Sequence, residues 1–306
     1  MRFGSFTMRN LDIRAGLGGG GPLARLLAAA VVTVPLAACS SIPSFDVMNP
    51  TSWFAEKYKT KIEPDVPADT LYDRGLANLQ RQDFEAAGKT FNDLEKRYSF
   101  SQWQRKGLLM ATFSQYQNGK FDDAIGTAQR YITSFPNSTD TPYVYYIEAM
   151  SYYNLIPDVT RDQDRAEKAA SLFATIVDKY PKSEYAEDAR YKLQITRDQL
   201  AGKEMEVGRY YLHDRNFTAA INRFRVVLAK YQTTRHAEEA LMRLVEAYLA
   251  LGIVNEAQTA AAVLGHNFPD SPWYKDAFAR LKENGTEPQE DKGSWISKAF
   301  RRVGVG

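Results

Sequence analysis

One pattern recurs five times along this chain and narrows its choice of fold more than any other feature. Phe84, Ala87, Phe91, Leu94 and Tyr98 stand at offsets 0, 3, 7, 10 and 14. The same offsets give Phe121, Ala124, Ala128, Tyr131 and Phe135, then Ala166, Ala169, Phe173, Ile176 and Tyr180. They give Phe217, Ala220, Phe224, Val227 and Tyr231, and finally Val254, Ala257, Ala261, Leu264 and Phe268. This spacing keeps to one face of a 3.6-residue helix. Alanine at the second place lets a neighbouring helix approach closely, and the terminal aromatic closes the apolar seam. Pro136, Pro181 and Pro269 follow three of those aromatics, ending the helix where no N–H is needed; Ser99 and Gln232 follow the others. A partner helix stands upstream, marked by Leu71 and Gly75, by Gly208 and Tyr211, and by Leu241 and Tyr248. No strand-like alternation of useful length interrupts the series.

Paired helices of this kind resemble tetratricopeptide repeats, so the expected fold is all-α: a tetratricopeptide-repeat superhelix of five helix–turn–helix units. One such pair cannot bury its own apolar face, and stability comes from stacking neighbours. Successive units start 37, 45, 51 and 37 residues apart, against about 34 for an ordinary unit. The excess points to two insertions. One lies between the helices of the third unit, at residues 154–164. The other lengthens the helix that follows Pro181 and leads into unit four. A long shared helix there divides the expected body into repeats one to three over 68–183 and repeats four and five over 184–282.

Residues 1–38 read as a targeting segment, set aside before any fold reasoning. Arg2, Arg9, Arg14 and Arg25 make its front end basic, and the apolar run from Leu26 to Leu36 is too short to span a bilayer as a helix. The run ends in Leu36-Ala37-Ala38-Cys39-Ser40, which resembles a bacterial lipobox. That resemblance implies cleavage before Cys39 and acylation of the new N-terminus, with Ser40 matching lipoproteins sorted to the outer membrane. Several acyl chains hold far more firmly than one. Residues 39–67 carry Ser, Pro and Asn without a sustained period, and read as a tether with at most one short helix around Trp53 to Tyr58. The whole chain carries 39 basic and 37 acidic residues. Without the leader the counts are 35 and 36, so nothing in the charge proposes nucleic acid as a partner.

Catalytic and cofactor signatures are weak. A single cysteine excludes a disulfide framework or a cysteine-based zinc site. Gly16 to Gly21 fit GxGxxG formally, but they follow no strand and lie in the leader. Gly88-Lys89-Thr90 lacks the glycine a phosphate loop needs five residues earlier, where Asp83 stands. His213, His236 and His266 show no metal-binding spacing and read as helix-end or surface residues. No catalytic residue, metal or cofactor is expected. What remains is a binding surface: first helices of successive repeats line a concave groove suited to an extended peptide or partner helix. By register Tyr72, Leu76, Phe113, Tyr116, Tyr143, Tyr146 and Tyr153 point towards it, or pack between helices. After Leu281 the period ends, and residues 283–306 read as a flexible tail. In it Trp295, Ile296, Ala299 and Phe300 form an amphipathic segment that docks on a partner or membrane, or stays disordered.

The lipobox, tether and five irregular repeats together resemble the BamD family, lipoprotein subunits of the outer-membrane β-barrel assembly machinery. The resemblance runs over about residues 71–262. It is strongest at Arg97-Tyr98-Ser99-Phe100, at Phe135-Pro136-Asn137-Ser138 leading into Tyr143-Val144-Tyr145-Tyr146, and at Tyr180-Pro181-Lys182-Ser183-Glu184-Tyr185. The helix through Leu200-Ala201 and Glu204 to Gly208-Arg209-Tyr210-Tyr211 fits as well. The family implies a scaffold without catalysis, lipid-anchored on the periplasmic face of the outer membrane. It implies a BamA-type barrel insertase as partner of the C-terminal units, with accessory assembly lipoproteins. It also implies unfolded outer-membrane clients, whose aromatic-rich C-terminal strand meets the N-terminal units. The insertase contact maps to Asn222-Arg223-Phe224-Arg225, with Arg223 and Arg225 beside the seam and Arg223 in an interfacial ion pair. The alternative is a periplasmic lipoprotein adaptor for peptidoglycan enzymes or proteases.

Overall fold

In the computed structural model, which describes residues 65–301, every regular element is an α-helix. The leader, Cys39, the tether up to residue 64 with its expected short helix, and residues 302–306 lie outside the described residues. Ten helices form five pairs: α1 (Ala68–Gln80) with α2 (Phe84–Arg97), α3 (Gln102–Gln117) with α4 (Phe121–Ser134), and α5 (Thr141–Asn154) with α6 (Asp164–Lys179). Then come α7 (Ala186–His213) with α8 (Phe217–Lys230), and α9 (His236–Ala250) with α10 (Val254–Asn267). Each second helix packs between its own first helix and the first helix of the next unit. Successive first helices also touch, α1 with α3, α3 with α5 and α7 with α9, so they form the inner layer of a tetratricopeptide-type array.

The five-fold pattern is the core. Offsets 3, 7 and 10 are buried in all five units, whereas offset 0 is buried only in the third, at Ala166, and open to solvent to some degree in the other four. The aromatic at offset 14 is the C-cap residue each time, and its N–H still reaches the carbonyl at offset 10. Volumes are exchanged across the pairs of units one, two, four and five. Where offset 7 is Phe91 or Phe224, the residue nine before the first place is Gly75 or Gly208; a Cβ there would lie 2.5 Å or 2.4 Å from the ring. Where offset 7 is Ala128 or Ala261, the same register position holds Thr112 or Val245, both fully buried.

The turns inside units one, two, four and five are also one structure. Asp83, Lys120, Asn216 and Ile253 each donate an N–H five residues back, to the carbonyls of Asn78, Gln115, Tyr211 and Tyr248. This is a Schellman closure, and the residue before each donor takes left-handed backbone. Gly119 and Gly252 do so without cost at φ 71°, but Gln82 and Arg215 do so at φ 60° and 59°. Arg215→Gly should therefore raise stability by about 0.5 kcal/mol, the left-handed penalty outweighing the entropy glycine loses. A higher urea midpoint at unchanged m-value is the expected reading.

A feature that the sequence pattern passed over recurs at offset 17. Ser101, Ser138, Ser183, Thr234 and Ser271 each return an N–H to the terminal aromatic's carbonyl as the next first helix begins. Ser101 and Ser271 also accept the N–H of Trp103 and Trp273 as N-caps.

The two insertions are linked to each other. α7 is 28 residues long; Leu193 joins the core of unit three, while Ala201 and Met205 join that of units four and five. Lys203 Nζ donates to Thr160 O at 2.9 Å, and Gln199 reaches Pro157 O and Gln163, which tie the loop at 155–163 onto the middle of that helix.

Beyond unit five the chain differs from the expected free tail. α11 (Pro272–Glu283) buries Ala277 and Leu281 against the array as a capping helix. The following segment folds back along α10: Gln258 donates to Thr286 and Glu287, and Asp291 N–H reaches Thr259 Oγ1. It ends in α12 (Trp295–Arg301), seated on α10 and α8. Ile296 is fully buried there, with Trp295 and Phe300 packed beside it. The apolar face expected to seek a partner or a membrane is thus covered by the chain's own last two repeats, because α8 and α10 leave an apolar seam that no further repeat closes.

Candidate functional site

The inner layer changes character along its length. In units one to three it is aromatic. All seven residues expected in the groove are half-buried, which is neither fully packed nor free. Tyr72 lies edge-on to Phe91 and tilts against Trp103 at 5.6 Å, with Lys106 Nζ over both the Tyr72 and Trp103 rings at 5.4 Å and 4.8 Å. Leu76 packs on the core of the same unit. Tyr153 turns edge-on to Phe173, and Lys192 sits 4.8 Å above its ring. Phe113 lies half-buried on α3.

The tightest grouping lies where units three and four meet. Tyr143 and Tyr146 both contact the Tyr185 ring at 5.2 Å, the second pair stacked at 29°. On α3, Tyr116 lies against Phe121 at 5.7 Å and accepts from Asn154 Nδ2 of α5 at 3.4 Å. Backbone contact between α5 and α7 is less than between the other successive first helices. These rings, with Tyr146 O–H donating to Asp188 Oδ2 at 2.7 Å, bridge the gap instead. Burial first, then the Asp188 carboxylate, pushes the Tyr146 phenol well above its ordinary range. Burial and then Glu184 do the same for Tyr185. Both stay neutral at any physiological pH, so they offer rings and hydroxyl donors. Tyr185, Trp103 and Lys106 were absent from the expected groove; only the recurrent Ser/Thr cap just before them signals that a first helix begins there.

In units four and five the inner layer is ionic. Arg209 pairs with Glu206 at 2.8 Å and Glu239 at 3.1 Å, and Arg243 joins Glu239 to Glu246 at 3.3 Å and 3.0 Å. Arg280 of α11 closes the chain on Glu246 at 3.3 Å, while Arg243 stacks over Trp273. Arg223 and Arg225 are engaged within the chain. Arg223 Nη1 is 3.2 Å from Glu204 Oε2 on α7, with 44 % of its side chain still open. The Arg225 guanidinium lies 4.9 Å over the Trp295 ring, whose Nε1–H donates to Tyr248 Oη at 3.1 Å. Position 223 therefore combines an ion pair with an accessible face, and position 225 is shared with α12.

His213 and His266 fall in the last turns of α7 and α10, and His236 opens α9. Among the described residues no group of three His, Cys, Asp or Glu could hold a metal, and no helix is long and apolar enough to cross a membrane. Among the described residues the one buried carboxylate is Glu148, held by Gln129 Nε2 at 3.0 Å. Burial raises its pKa, with Gln129 and Lys168 opposing. A raised folded-state pKa means that ionising Glu148 costs stability above it, and the cost disappears as pH falls towards the unfolded value of about 4.3. Glu148→Gln keeps the hydrogen bond and removes the charge. It should raise the melting temperature at pH 7, with the gain over wild type shrinking to nothing below pH 4.5 or so.

The geometry defines a class: a helical-repeat scaffold with an aromatic and an ionic stretch on one inner face. The YfiO outer membrane lipoprotein family model matches residues 64–264. The outer membrane protein assembly factor BamD of Caulobacter vibrioides is 41% identical over 232 residues, 76% of each chain. That of Rickettsia prowazekii is 38% identical over 216 residues, 71% of this chain and 86% of its own, and that of Neisseria meningitidis serogroup A 30% over 228 residues, 71% and 85%. The chain belongs to the YfiO/BamD family.

Proposed function

We propose that this chain is an outer-membrane protein assembly factor that holds a BamA-type barrel insertase through units four and five, and receives unfolded β-barrel clients on units one to three. It acts as a non-enzymatic scaffold, anchored through acylated Cys39 on the periplasmic face of the outer membrane beside accessory assembly lipoproteins. The observation that carries the reading is the split inner face within a chain whose relatives are assembly factors. An extended strand with alternating aromatics finds tyrosine rings at Tyr143, Tyr146 and Tyr185, with Tyr116 on the neighbouring first helix. Ring pairs add attraction beyond the area they bury, and Lys106 and Lys192 suit a terminal carboxylate. A folded partner with charged contacts finds the Arg209-to-Arg280 network and the open side of Arg223. Electrostatic complementarity of this kind sets register and partner choice.

Affinity purification of a tagged copy from gently solubilised outer membranes tests the reading. A large β-barrel with tandem periplasmic domains should be recovered in stoichiometric amount. Arg223→Glu, which turns the Glu204 pair into a repulsion and reverses the exposed charge, should cut that recovery by about tenfold or more. Recovery of murein hydrolases or proteases without that barrel would sink the proposal and favour the adaptor alternative.

A further inference from the structure

Phe100 breaks the rules of the array in two independent ways. It is a large apolar side chain left 99 % exposed, and it takes left-handed backbone at φ 68°. Among the described residues the other left-handed positions are Schellman turns or glycines at helix ends, where the geometry is required. A phenylalanine in that region is strained. The register makes the exception plain: two residues after the terminal aromatic, the five units carry Phe100, Asn137, Lys182, Thr233 and Asp270. Four polar loops and one bare aromatic share the same place.

That place has a defined position in the molecule. In an array of antiparallel helix pairs, every second helix ends on the edge where every first helix begins. The described chain starts on this same edge, and Tyr98 O–H donates to Val66 O at 2.8 Å, which pins the start of the array to the loop that carries Phe100. The described chain therefore begins, at Asp65 and Val66, beside the loop that carries Phe100, and the acylated Cys39 proposed above lies upstream of that point in sequence. We infer that Phe100 is a second membrane contact, inserting its ring into the phospholipid interface beside the point where the lipid-anchored tether meets the array. This inference rests on the lipid-anchor reading. Aromatic rings favour that interface, and a second weak contact next to a covalent anchor acts at high effective concentration. The edge carries charges of both signs, with Lys96 and Arg97 ending α2 and Asp69 opening α1. Insertion should accordingly respond little to salt.

The test uses the acylated full chain on phospholipid vesicles, with a nitroxide on Cys at position 99 and, separately, at position 182 on the same edge. With Phe100 intact, the label at 99 should collide several-fold more with oxygen relative to a water-soluble nickel complex than the label at 182. Phe100→Ser should return it to the level at 182 while far-ultraviolet circular dichroism stays unchanged. Equal nickel access at both positions on vesicle-bound protein overturns the inference and leaves the anchor standing. Failure of the acylated chain to bind vesicles overturns both. Shielding at position 99 that persists without lipid, or appears only with a β-strand client peptide, assigns Phe100 to a protein contact and also overturns it.

Discussion

Gly208→Val should destabilise the array by about 3 kcal/mol, and Phe224→Ala added to it should restore most of that loss. The first half follows from contact. A Cβ at 208 would stand 2.4 Å from Phe224 Cε1 and 2.9 Å from two further ring atoms, and the ring is fully buried with nowhere to turn. Overpacking of a closed core costs about 1–3 kcal/mol, and the branched side chain puts valine at the upper end. Phe224→Ala alone leaves a hole and should cost about 3–5 kcal/mol. The double variant reproduces what unit five already contains at the same register positions, Val245 and Ala261, both fully buried in one core. Chemical denaturation of the four proteins should show a coupling of about 2 kcal/mol or more. Additive losses would mean that the two positions do not share the volume the register assigns them.

Tyr146→Ala should weaken binding of a peptide ending in an aromatic-rich strand by about tenfold or more, the scale expected for a buried aromatic contact. Tyr146 is central to its cluster, stacking on Tyr185 while its hydroxyl holds Asp188. Its loss removes both a surface and a brace between α5 and α7. Tyr146→Phe separates the two, because it keeps the ring and removes only the Asp188 bond. Fluorescence anisotropy with the phenylalanine variant should stay within about threefold of wild type, while its melting temperature falls. If phenylalanine loses as much affinity as alanine, the site acts through bracing rather than through contact.

Sequence carried the array well because its core has a strict period. Offsets 3, 7 and 10 can be read on paper and are buried in every unit. The exchange of Gly75 with Phe91 against Thr112 with Ala128 was equally present in the letters, but it emerges only once two helices are placed face to face. The candidate site was legible as a list of aromatics and not as an arrangement. Register alone put Tyr153 and Tyr146 on one footing, whereas Tyr153 leans on Phe173 and Tyr146 reaches across to Asp188. Tyr185 was missed because it precedes its helix, where a heptad-like period has nothing to say. The segment after Leu281 was misjudged for a related reason. Its polar residues between 286 and 291 bond to α10 through side chains and backbone, a pattern without period, and its apolar residues number too few to announce burial.

The most direct test of a client-receiving aromatic face is photo-crosslinking in living cells from a reactive residue placed at position 116, half-buried on the first helix of unit two. Adducts identified by mass should be unfolded outer-membrane β-barrel proteins, joined through their C-terminal strands, and they should disappear when Tyr143 and Tyr146 are both changed to alanine. Adducts consisting only of murein enzymes or proteases, or of the barrel insertase itself, would contradict the account.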